Sequence, residues 1–124
     1  MNKILIVAVC LALTATSAAA QSVRFQCNFD RQATPTTVAN IKPFGLEYTL
    51  DTFNNKAMLR GNAGLTNVVV VSGTASYSFI EVLSTGVVQS TTIILNTRKA
   101  VHSRHTILGS DFIPAQMYGA CDVS

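Results

Sequence analysis

From Val23 onward, apolar residues fall at every second position. Val23, Phe25, Cys27 and Phe29 share one parity, with Arg24, Gln26 and Asn28 on the other. Successive side chains of a strand point to opposite faces, so this alternation predicts a strand with one buried face. Phe44 or Leu46, Tyr48 and Leu50 repeat the pattern against Glu47, Thr49 and Asp51, and Asn54-Asn55 reads as a tight turn into a strand at residues 56–60. Residues 67–72 form an unbroken Val-rich run, which predicts a strand buried on both faces. Residues 76–83 and 87–95 flank Ser84-Thr85-Gly86, a hairpin signal because Gly supplies the positive φ such turns need. Strands at residues 99–108 and 112–121 complete the series. The Thr-rich stretch 31–43, with Pro35 and Pro43, is the one long connection, with room for a short helical turn at residues 36–41.

Seven to eight strands and almost no helix-favouring segment define an all-β class. A single open sheet of this size leaves a face and two edges unburied, so the expected architecture is a small antiparallel barrel or a two-sheet sandwich. No repeat, linker or composition shift divides it, and residues 21–124 are expected to form one β domain.

Residues 1–20 read differently. Lys3 precedes an apolar run from Ile4 to Leu13, and Ala18-Ala19-Ala20 ends the segment in small residues. These are the three parts of a secretory signal peptide, with cleavage expected after Ala20. The apolar run is too short to span a bilayer, and Cys10 lies in mid-run rather than at a lipid-attachment position, so no stable membrane anchor is expected. The destination is periplasmic or secreted. Past the leader, Cys27 and Cys121 are the remaining cysteines, and an even count in an exported chain predicts a disulfide. Closing a loop that long stabilises a domain by roughly 4–5 kcal/mol in the chain-entropy account.

Charge adds little. The chain carries a formal net charge of +3 with 12% charged residues, and its basic residues are scattered except for Arg98, Lys99 and Arg104. Nucleic-acid binding calls for Lys and Arg gathered on one face, so nucleic acid is not an expected partner.

The strongest chemical constellation is 101–106, which holds the only two histidines, His102 and His105. Residues three apart on a strand point to opposite faces, so the two cannot share a metal, and no Cys/His ligand spacing or cofactor motif is present. Strand parity groups Ser103 and His105 with Val101 and Ile107, which predicts a buried His105 and a solvated His102. No Gly-x-Ser-x-Gly elbow raises a nucleophile. Glu81 shares a strand face with Phe79 and Leu83, which predicts either a half-buried carboxylate partnered by Arg98 or Arg104 across the sheet or a bulge that turns it outward.

The exported one-domain plan and the ending Tyr118-Gly119-Ala120-Cys121 resemble small uncharacterised one-disulfide periplasmic proteins of Gram-negative bacteria. Ser72-Gly73-Thr74-Ala75-Ser76-Tyr77 is similar to the Ser-Gly-x-x-Tyr loop of the periplasmic C-type lysozyme inhibitors, with the Tyr one residue late and no basic residue beside it. The resemblance implies a small inhibitory or binding barrel and assigns no residue roles. The expected function is therefore an exported binding or interaction module for a protein or envelope glycan, with no catalytic, metal or cofactor site assigned. The alternatives are a small hydrolase using His102 or His105 and a structural envelope component.

Overall fold

The computed structural model describes residues 21–62 and 64–124, so the expected leader lies outside the described residues. Eight strands run in chain order: β1 (Ser22–Ala33), β2 (Val38–Asp51), β3 (Lys56–Gly61), β4 (Gly64–Ser72), β5 (Ser76–Val82), β6 (Val88–Ile94), β7 (Lys99–Leu108) and β8 (Asp111–Val123). Each pairs antiparallel with the next, and β8 returns to β1, giving a closed up-and-down barrel. Closure removes the sheet edges that an open all-β arrangement would expose.

The interior is the hydrophobic core. Phe25, Phe29, Tyr48, Leu50, Phe79, Ile93 and Met117 fill it, and the strands alternate inward apolar with outward polar residues. Its aromatic rings pack in contact: Tyr48 stacks on Phe79 with centroids 4.4 Å apart, and Phe25 tilts against Phe79 at 5.6 Å. An eight-stranded barrel is just wide enough for its side chains to fill. At the β1–β8 seam the two backbones approach so closely beside Gly119 that an added Cβ would run into the Asn28 carbonyl oxygen, so this position of β8 requires glycine.

Cys27 and Cys121 are register partners on β1 and β8, and a disulfide joins them. It pins the seam where the first strand meets the last, 94 residues apart.

Three expectations change. Residues 36–41 contain no helical turn. β1 continues to Ala33 and β2 begins at Val38, because antiparallel pairing of Arg31 with Asn40 and Ala33 with Val38 suits β-branched Thr and Val. A bulge between Phe29 and Arg31 breaks the register near Pro43, which has no N–H to give the ladder. The Val run is buried on one face only, since Val70 points inward while Val69 and Val71 are exposed. The third change concerns the histidines.

Candidate functional site

The up-and-down topology makes the two ends of the barrel chemically different. The lower end carries both described termini and the β2–β3, β4–β5 and β6–β7 connections; the upper end carries the four hairpins β1–β2, β3–β4, β5–β6 and β7–β8.

Register places three layers on the inner wall of β5, β6, β7 and β8. The lowest is Tyr77, Ile93, Ala100 and Gly119. Above it lie Phe79, Thr91, His102 and Met117, and above those Glu81, Gln89, Arg104 and Ala115. The β5–β8 wall thus turns polar toward the upper end.

In the middle layer, the Tyr48 hydroxyl lies 2.6 Å from Thr91 Oγ1, which lies 2.7 Å from His102 Nδ1. One proton arrangement that satisfies the chain has Tyr48 donating to Thr91 and Thr91 donating to a neutral His102. Phe29 and Phe44 pack against the imidazole at 5.8 and 6.3 Å between centroids. Burial, reinforced by the Arg104 charge, holds the His102 pKa down at about 4. Burial also pushes the Tyr48 hydroxyl up to about 12, against the Thr91 hydrogen bond and with a contribution from Glu81. Both groups are therefore neutral across the ordinary pH range, where a general acid or base needs a pKa near the working pH.

His102 is 3% exposed and His105 is exposed, the reverse of the sequence expectation. The inward parity of β7 is carried by Ala100, His102 and Arg104, while Val101 and Ile107 face outward. His102 is tolerated inside because Thr91 satisfies its ring nitrogen. Ser103 and His105 do share a face, in an open outer groove of ≈ 250 Å³ with Pro35 and Pro114. Glu81 is half-buried as expected, and its charge adds to the rise of the Tyr48 pKa. Arg104 shares the inward parity of β7 and is half-buried, and its Nε is buried without a hydrogen-bond partner. Among the described residues no group of three His, Cys, Asp or Glu side chains is placed to hold a metal.

Above this layer the four hairpins separate. The β4–β5 ladder stops at Val69 and Ile80, β6–β7 at Gln89 and Arg104, and β8–β1 at Gln116 and Ala33. Every hairpin exposes large apolar side chains: Val38 on the first, Leu65 on the second, Val82 and Val88 on the third, and Ile107, Leu108, Phe112 and Ile113 on the fourth. Leu108 and Phe112 are 66% and 68% exposed. In residues 34–38, 62–65, 82–88 and 105–113 the only formally charged side chain at neutral pH is Asp111. Sequence reading missed this crown, because only strand connectivity shows that the four apolar tips rise from one end. No known protein family, curated protein or solved structure matches the chain.

Proposed function

We propose that the chain is an exported binding module that engages a protein or envelope glycan through the hairpin end of its barrel. The observation that carries this reading is the crown. Exposed apolar side chains scattered singly are normal, whereas their concentration at one rim marks an interaction surface. The leader-like residues 1–20 support export, and the Cys27–Cys121 disulfide is compatible with an oxidising compartment.

Affinity capture tests the reading, with the mature domain and a Leu108→Ser/Phe112→Ser variant offered to the same envelope extract. The expected result is a component retained by the native domain and lost by a variant that melts at the same temperature. Equal retention by both proteins overturns it. Export is checked separately by intact mass, which is expected to match a chain starting at Gln21 without lipid.

A further inference from the structure

The β6–β7 ladder ends at Gln89 and Arg104, while β7 runs on beside β8 as far as Leu108. Above Arg104, β7 therefore has a strand partner on one side only. The register partner of His105 is Pro114, which has no N–H, so this pair is not one that exchanges backbone hydrogen bonds. Bonded and non-bonded pairs alternate along an antiparallel ladder. Arg104 and Thr106 accordingly bond to β8, and His105 and Ile107 turn their N–H and C=O the other way, toward β6. The neighbouring β5–β6 hairpin closes on itself: the Leu83 amide donates to the Val87 carbonyl and the Gly86 amide to the Leu83 carbonyl, both at 2.9 Å. Among the described residues no bond from that turn reaches Ile107. Its donor and acceptor face the groove of ≈ 180 Å³ between the two hairpins, which Leu83, Val87, Gln89 and Ile107 itself line.

We propose that this free edge of β7 takes up an extended, uncharged segment of a partner protein as a short added strand, lying in the groove between the third and fourth hairpins. This deepens the binding-module reading and rests on it, selecting a protein over a glycan. An extended polypeptide offers N–H and C=O groups at the spacing of a strand edge, and its alternate side chains reach the flanking surface. Exposed edges are commonly blunted by Pro or by charge. Pro114 does this for β8, since its missing N–H faces away from β7. Residues 105–108 contain no Pro, Asp, Glu, Lys or Arg, so the β7 edge is left open. It is about 10 Å long, three rises of ~3.3 Å. Leu83 and Val87 are half-buried and receive one set of side chains of the added strand, while Ile107 flanks the other. No formally charged residue lines the groove, which calls for a segment with apolar residues at alternate positions and no charge among them.

The probe is an acetylated, amidated hexapeptide of alternating Val and Thr, titrated into the mature domain and followed by amide chemical shifts and hydrogen exchange. It is expected to bind with a Kd near about 1 mM, with shifts centred on Leu83, Val87 and Ile107 and slowed exchange of the Ile107 amide. The same peptide N-methylated at every residue has no N–H to donate and is expected to bind at least about tenfold more weakly. Ile107→Pro removes the edge N–H and spares the bonds of Arg104 and Thr106 to β8, so it is expected to weaken the peptide about fivefold, the scale of one backbone hydrogen bond. If Ile107→Pro does not fold, the methylated peptide still decides. Equal binding of the two peptides, or shifts that miss this groove, overturns the proposal. A tetramer of N-acetylglucosamine that shifts the groove residues while the peptide is silent overturns it in favour of a glycan. Peptide failure alongside envelope capture overturns the added strand and leaves the crown reading; peptide binding without any captured component overturns the envelope partner and leaves the edge standing.

Discussion

The lower and upper ends of the barrel are made from the same eight strands and are built to opposite rules. Connections at both ends are short and hydrogen-bonded, and those at the lower end close over the aromatic core. Asp51 Oδ1 accepts hydrogen bonds from the Phe53 and Asn54 amides at 3.0 Å, its Oδ2 accepts one from Asn54 Nδ2, and these bonds hold its carboxyl below the usual range. Asn55 and Arg98 take positive φ to turn tightly, and the Cys121 amide donates to the Arg98 carbonyl. Above them Phe25, Tyr77 and Phe79 pack ring to ring. At the upper end the ladders stop early, the tips project apolar side chains into solvent, and the inner wall carries Glu81, Gln89 and Arg104. An isolated two-stranded ribbon is marginal in water. Stability is thus concentrated below, and the free surface of the upper end is available for recognition.

Experiments that separate the ends begin with the largest expected effect. Replacing both Cys27 and Cys121 by Ser is expected to cost about 4–5 kcal/mol, by freeing the long unfolded-state loop, and to lower Tm by more than about 15 °C. Thermal melts without reductant check this, and two free thiols in the native protein would remove its basis. Phe79→Ala, in the aromatic layer, is expected to cost about 3–5 kcal/mol, read from denaturant midpoints. Phe112→Ser on the crown is expected to stay within about 0.5 kcal/mol of native, and similar losses in the two variants would erase the distinction between the ends.

The polar middle layer responds to pH. The folded pKa of His102 lies near 4, below the ordinary unfolded value of about 6.5. The unfolded chain therefore binds more protons between those values, and the contribution of His102 to stability is present above about pH 6.5 and lost as pH falls toward 4. The loss amounts to no more than about 3 kcal/mol. His102→Gln is expected to flatten this part of the stability curve, whatever its stability at pH 7, and an unchanged slope would contradict it. Thr91→Val removes the hydroxyl between Tyr48 and His102 and is expected to cost about 1–3 kcal/mol, measured by chemical denaturation.

Much of the lower end was legible in the chain. Alternation in residues 23–29 and 44–51 marks inward faces because those strands bury strongly apolar side chains and expose polar ones. β7 defeats the same reading, because its inward residues Ala100, His102 and Arg104 are less apolar than its outward Val101 and Ile107. A one-residue change of parity exchanges every side chain between faces, so the histidines exchanged places. The Val run fails for a related reason: the outer wall of β4 keeps Val69 and Val71 in solvent, so apolar character no longer reports burial. The layer of Glu81, Gln89 and Arg104 was beyond reach, since it exists only once β5, β6 and β7 are neighbours in this register. The disulfide was legible because two cysteines allow one pairing.

The disulfide at the seam also sets how the protein answers a mechanical load. Both described ends leave the lower rim side by side, where the Arg24 and Ser124 backbones exchange hydrogen bonds of 2.9 and 3.0 Å. A pull on Gln21 and Ser124 opens β1 from β8 one rung at a time, like a zip, until it meets Cys27 and Cys121. There the tension crosses through sulfur. Everything between the two cysteines is bypassed, so only a few residues at each end lengthen under force while the oxidised barrel stays slack. Reduction would hand the same load to the whole wall.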